Sequence, residues 1–346
     1  MDKKAWSFLT LGLLLGVLLA TAAFSALSRA PAPGALASPS AAASRDRVVL
    51  KLAHALDQNH PVHAAMAFMA KRLAERSNGR VELQIFPNGQ LGSETECIEQ
   101  VQRGVLAMAK SSAAPLEGFI AEMALFGLPY LFRDEAHYWK VLQGEVGKAL
   151  LTAGEGVGLR GVCYYDAGSR SFYTIEQPIL TPADLIGKKI RVMRSRTAMD
   201  MISEMGGAPT PMAWGELYTA LQQGMVDGAE NNPPSYHGSR HFEVAKQFSL
   251  DEHTRIPDVL VFSQKIWLSL DADVQRWVQE AADDSVEFQR KLWAKKTQEA
   301  LTALKAAGVT IHHPDPAPFR AQVQPMYQRL AGGKLADLVK RVQEVR

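Results

Sequence analysis

The sequence holds only two cysteines, Cys97 and Cys163, in 346 residues. Two thiols exclude a disulfide-rich scaffold and any zinc or iron–sulfur site built from cysteine. One falls on an expected helix and the other in a strand-like run, which favours two buried free thiols over a disulfide. An excess of one charge is also missing. The 38 basic and 36 acidic residues leave +2, with no basic stripe interleaved with aromatics, so nucleic acid is not an expected partner. There is no internal repeat of fixed period, and low complexity is confined to the N-terminal stretch. Motifs for catalysis and cofactors fail in turn. The run Gly156-Val157-Gly158-Leu159-Arg160-Gly161 has the letters of a dinucleotide loop, but an expected helix precedes it and a strand follows. That order is the reverse of what the motif needs, so it reads as a helix-ending glycine turn. Gly144-Glu145-Val146-Gly147-Lys148 lacks the spacing and hydroxyl of a phosphate loop, and no serine sits in a nucleophile-elbow pattern. His54, His60 and His63, like His312 and His313, include no i, i+4 pair with a carboxylate placed for zinc. No cofactor, metal or catalytic residue is expected.

What is present begins with a leader. Residues 1–46 carry Lys3 and Lys4, an apolar run from Trp6 to about Leu27, and an Ala/Pro/Ser stretch through Ser44. This reads as an export signal, or as an uncleaved membrane anchor, followed by a linker. Either way the body is exported. That body, 47% hydrophobic and 21% charged over the whole chain, is large enough for two cores.

Along the body, Val48 to His54 alternates as a strand, and Pro61 to Ser77 has helical spacing stopped by Asn78-Gly79. Arg80 to Phe86 alternates again, Glu94 to Arg103 is amphipathic, and Leu106 to Lys110 is a short strand. Such βαβαβ alternation implies a mainly parallel sheet. Glu135 to Thr152 reads as helical and Arg160 to Tyr165 as a strand. A second α/β set runs from Ser169 to about Arg255, with strands near Lys189 to Met193, Pro209 to Met212 and Asp227 to Ala229. The apolar run Pro257 to Lys265 is expected to return to the first sheet. Asp271 to Ala307 is too long a helix for one small lobe and is expected to brace both.

Within the second set, Arg191 in Lys188-Lys189-Ile190-Arg191-Val192 sits on a strand with β-branched neighbours and should be enclosed. An enclosed guanidinium needs an anion to offset its lost hydration, and a planar fork of donors matches a carboxylate. Further blocks stand in order: Phe86-Pro87-Asn88-Gly89-Gln90-Leu91-Gly92, Leu128-Pro129-Tyr130, Gly168-Ser169-Arg170, Pro209-Thr210-Pro211-Met212 and Asp227-Gly228-Ala229-Glu230-Asn231. With these blocks the chain, from about Val48 to Tyr327, resembles the periplasmic solute-binding proteins of tripartite ATP-independent (TRAP) transporters.

The resemblance implies an α/β, two-lobed periplasmic binding protein fold with hinge strands and a long helix spanning both lobes. The first lobe would be 47–168 with 256–300 and the second 169–255 with 301–346. It implies that Arg191 clamps a ligand carboxylate, that Arg170 is a second carboxylate-directed arginine, and that Asn231 bonds the carboxylate or orients the arginine. Trp214 matches a cleft aromatic able to stack on a sugar-like ligand. Glu94 and Ser112 align with first-lobe positions that meet the other end of the ligand, and Asn59 or His60 lies on the first strand-to-helix loop. The run Asn231-Asn232-Pro233-Pro234-Ser235-Tyr236 resembles sugar-acid-binding members, its amide, hydroxyl and phenol of Tyr236 suiting a polyol. The expected ligand is thus a hexuronate such as glucuronate or galacturonate, with a C4-dicarboxylate or 2-oxo acid as alternative and an exported α/β enzyme as the rival of another class. The expected partners are TRAP membrane permease subunits, and a monomer is expected.

Overall fold

The computed structural model describes residues 47–330 and 332–346; the expected leader, 1–46, lies outside them. Among the described residues no helix is long and apolar enough to cross a membrane.

Among the described residues eleven strands form two sheets. They are β1 (Val48–Ala53), β2 (Val81–Phe86), β3 (Met108–Ser112), β4 (Leu159–Tyr165), β5 (Arg170–Thr174), β6 (Lys189–Val192), β7 (Ala208–Pro211), β8 (Gly228–Asn231), β9 (Gln247–Thr254), β10 (Asp258–Ser263) and β11 (Thr310–His312). The first sheet has the order β2-β1-β3-β10-β4, the second β11-β9-β5-β8-β6-β7. Parallel pairs β1/β2 and β1/β3 follow from the helical crossovers 61–76 and 94–103. The apolar run at 258–263 does return to the first sheet, where β10 lies antiparallel to β3 and β4 and sets Asp258 opposite Ser112 and Tyr165.

The chain therefore passes between sheets at 166–169 and again at 255–257. Helix Ala272–Ala306 backs the first crossing, and at about 1.5 Å per residue its 35 residues are long enough to serve both lobes. Its first two-thirds join Val274, Val278 and Trp293 to the core under the first sheet, and its last turns join Leu304 to that of the second. At the first crossing Gln289 bonds both backbone groups of Asp166, at 2.9 and 2.8 Å. Gly168 stands there at φ +60°, where a Cβ would come within 3.0 Å of Trp293 Nε1. Left-handed backbone costs an L-residue about 1–2 kcal/mol, so Gly168→Ala is expected to lower the free energy of unfolding in urea by at least that much.

Two expectations are refined. The segment 135–152 is two helices, Glu135–Gln143 and Glu145–Thr152, because the backbone extends at Gly144, and a Cβ there would meet Lys140 O at 2.7 Å. The tail, assigned with 301–346 to the second lobe, also divides. Helix Lys334–Glu344 buries Leu338, Val339 and Val342 in the first lobe's cluster with Leu125, Phe126 and Val146. Cys97 and Cys163 are both buried free thiols, as expected.

Candidate functional site

The loops after the strands of the two sheets face each other across a crevice, the position α/β sheets give their ligands. A cavity of about 220 Å³ lies between Ala55, Asn88–Gly89 and the start of helix Glu94–Arg103 on one side and Arg191 and Met212–Gly215 on the other. It shares Glu94, Arg191 and Trp214 with a narrower inner cavity of about 40 Å³, where Glu94, Lys110, Ser112 and Asp258 face Arg170, Arg191 and Asn231. Trp214 also walls a third, outer chamber of about 480 Å³ that holds Asn59 and reaches Lys296 and Glu299 of the long helix.

Arg191 is 2% exposed. Its Nε and one terminal nitrogen donate to Met212 O at 3.2 and 2.8 Å, while the other terminal nitrogen, Nη1, is buried with no hydrogen-bond partner among the described residues. No carboxylate forms a salt bridge with it among these residues, and burial lowers its pKa from the ordinary arginine value. Its guanidinium lies 5.7 Å from the centroid of the Trp214 ring. The fork is therefore fixed along one edge by backbone and free on another, in a cavity with a flat aromatic wall.

Arg170 is held differently. Its guanidinium bonds both carboxylate oxygens of Glu230, the Glu230 carbonyl at 2.7 Å and Asn231 Oδ1 at 2.9 Å. Behind Glu230 stands His253, wholly buried, 3.5 Å from Glu230 and 2.9 Å from Asp251. Burial alone would raise the Glu230 pKa, but Arg170 and His253 hold it at about 2. Burial alone would lower that of His253, but Asp251 and Glu230 reverse this and raise it to about 9. Asn231 Oδ1 also accepts from Asn232, so its Nδ2 is the group left for the crevice.

On the opposite wall Lys110 is buried between Glu94 and Asp258, its Nζ 3.1 Å from a carboxylate oxygen of each. Burial opposes the ammonium, and the two carboxylates more than compensate, raising its pKa. The Ser112 amide donates to Glu94 at 3.0 Å. His60 caps helix Pro61–Arg76 by accepting from Val62 N through Nδ1, which leaves Nε2 as the protonated nitrogen that donates to Ser235 Oγ at 3.1 Å across the crevice. Burial, with Lys110 nearby, pushes its pKa down to about 3.

The structure thus brings Arg191, Arg170, Asn231, Trp214, Glu94, Ser112 and His60 to one crevice. Asn59 lies apart, in the outer chamber, its amide bonded to Asp57 at 2.9 Å. Tyr236 is a correction. It is fully buried, stacked on Tyr173 at 4.5 Å, and its hydroxyl donates to Ala245 O; the helix Pro233–Gly238 turns Ser235, not the phenol, to the crevice. Sequence reasoning missed Lys110, Asp258 and Trp293, all on the inner cavity. Lys110 carried a signal, a lysine flanked on both sides by small residues in a short strand, but the expected strand stopped there instead of at Ser112.

The family model of DctP, the bacterial extracellular solute-binding proteins of family 7, matches residues 52–333. Among solved structures, a TRAP periplasmic solute-binding protein from Bradyrhizobium sp. BTAi1, in complex with α/β-D-galacturonate, is 44% identical. The match covers 85% of this chain and 99% of that one, with a TM-score of 0.83. Another, from Roseobacter denitrificans with bound β-D-glucuronate, is 38% identical over 86% of this chain and 100% of that one, with a TM-score of 0.84. The C4-dicarboxylate-binding periplasmic protein DctP of Rhodobacter capsulatus is 31% identical over 86% of this chain and 87% of its own length. With a two-lobed α/β fold and a buried arginine at the crevice between its sheets, the chain belongs to the DctP family of bacterial extracellular solute-binding proteins.

Proposed function

We propose that this protein is the periplasmic receptor of a TRAP transporter, that it captures a hexuronate such as D-galacturonate or D-glucuronate, and that it delivers it to the membrane permease subunits. The observation that carries the reading is Arg191: a buried cation that, among the described residues, forms no salt bridge and has one terminal nitrogen without a partner, at a cavity large enough to admit a small acid. A ligand carboxylate supplies the missing anion through charge-assisted hydrogen bonds. Asn231 Nδ2 adds a donor, Trp214 a flat face for the apolar side of a sugar ring, and Glu94, Lys110 and Asp258 a set of charged partners for hydroxyls on the other wall. The relatives crystallised with galacturonate and glucuronate support the choice of acid.

Capture proceeds by closure. The first-lobe residues Glu94, Lys110 and Asp258 and the second-lobe residues Arg191, Asn231 and Trp214 meet one ligand from opposite walls, so the acid binds the closed arrangement better than the open one. That difference is what lets it shift the equilibrium. The crossings at 166–169 and 255–257 are the hinges, and the closed form is what the permease reads. The receptor has no chemistry to perform on the acid, and incubation with uronates is expected to give no turnover.

A thermal-shift panel of uronates, aldonates, C4-dicarboxylates and 2-oxo acids tests the ligand. Ligand at about 100 times its Kd adds about 2.7 kcal/mol to the stability of the native state, so hexuronates are expected to raise the melting temperature by several degrees. A shift with dicarboxylates alone defeats the hexuronate reading.

A further inference from the structure

The two walls of the inner cavity differ in sign. The second-lobe wall presents Arg191, which forms no salt bridge among the described residues, and Arg170, which is paired with Glu230. The first-lobe wall presents two carboxylates, Glu94 and Asp258, around the single ammonium of Lys110. Glu94 Oε1 is taken by Lys110 and the Ser112 amide, and Asp258 Oδ1 by Lys110. Among the described residues nothing donates to Glu94 Oε2 or Asp258 Oδ2, and both residues line the cavity. These are acceptors open to a ligand in the cavity. A hydroxyl can supply a proton to them; an ionised carboxylate cannot, and its charge is repelled by the two acids that line the cavity.

We infer that the Glu94–Lys110–Asp258 triad is the specificity device of the crevice, accepting hydroxyl protons from the far end of a polyhydroxy monocarboxylate and rejecting ligands with a second carboxylate there. This rests on the hexuronate reading above and narrows it. Lys110 holds the two acids at one spacing, its ammonium against one oxygen of each, so the remaining oxygens form an acceptor surface. Selectivity comes from what the wall repels as much as from what it binds. The length of the ligand then matters because a diacid clamped at Arg191 must bring its second charge to this wall.

The test compares D-galacturonate with galactarate, in which both chain ends are carboxylates, by calorimetry on the full exported chain, on Glu94→Gln and on Asp258→Asn. Wild type is expected to prefer galacturonate by about a hundredfold or more, the scale of a like-charge contact worth several kcal/mol. Each amide variant is expected to narrow that gap by about tenfold or more, since an amide can donate to a carboxylate. The ring-versus-chain difference between the two acids is present in every protein and cancels in the change from wild type to variant. Glu94→Gln is the variant to rely on for folding, since the helix keeps its cap between Ser93 and Glu96. If wild type binds galacturonate and galactarate equally, or if both variants keep the wild-type gap, the triad is not the specificity device although the hexuronate reading stands. If wild type binds neither these acids nor D-glucuronate, the hexuronate reading itself falls and this inference with it.

Discussion

Arg191→Lys is expected to weaken hexuronate binding by a factor of about 10² to 10⁴ while the protein stays folded. Charge-assisted hydrogen bonds contribute about 1.5–3 kcal/mol each, and the arginine is placed to make two of them with a planar carboxylate while its other edge stays on Met212 O. Lysine keeps the charge and loses the fork. Its single ammonium can serve Met212 O or the ligand, and nothing then fixes the orientation of the acid. The fold should survive because wild type already tolerates a buried guanidinium nitrogen with no partner among the described residues; the substitution removes a group whose compensation comes from outside the chain. Isothermal calorimetry with galacturonate measures the first part and a melting curve without ligand the second. An unchanged Kd would remove the clamp from the mechanism, and with it the reason for assigning an acid at all.

The sequence made the scaffold legible wherever local signals agreed. Pro61 at the start of a helix and the Asn78-Gly79 stop mark the element 61–76 to within a residue. The apolar, β-branched run at 258–263 announces a strand buried on both faces. Arg191 was legible for the same reason in reverse, a charge where the pattern demanded burial. Strand β9 was not. Its Asp251, Glu252 and His253 spell a loop, yet Asp251 and His253 are buried in a strand whose register on β5 shifts between Arg170 and Phe172, with His253 set between Asp251 and Glu230. No window of local sequence contains that partner, which lies about one strand pair away.

Lys110 and Asp258 escaped for a related reason. Each looks like an ordinary surface charge until β10, entering from the other lobe, is laid antiparallel on β3. The carboxylate and the ammonium are then brought together by topology, across nearly 150 residues of chain. Tyr236 failed in the opposite sense: a phenol beside amides and a hydroxyl suits a polyol, but six residues of helix point successive side chains in different directions, and only Ser235 points into the crevice.

Stability is expected to peak near pH 6.5 and to fall on both sides for identifiable reasons. His253 has its pKa raised from 6.5 to about 9 in the folded chain, so its contribution is complete below pH about 6.5 and is lost as the pH rises toward 9. The gap is worth about 3 kcal/mol. His54, His60 and His241 go the other way, each pushed from 6.5 down to about 3, chiefly by burial. They are kept neutral in the fold while the unfolded chain takes up protons, so their contribution is present above pH 6.5 and drains away as the pH falls toward 3. Glu230 adds to the acid limb only below its ordinary value of 4.5. Urea midpoints measured from pH 4 to 9 should therefore trace a dome, and His253→Gln should flatten its alkaline side while leaving the acid side in place. The variant should also be less stable at pH 6.5 by about 1–3 kcal/mol, because a glutamine cannot carry the charge that lies between Glu230 and Asp251. If the alkaline limb keeps its slope in that variant, His253 is not the proton that the folded chain releases there, and the charge order Arg170, Glu230, His253, Asp251 behind the crevice must be redrawn.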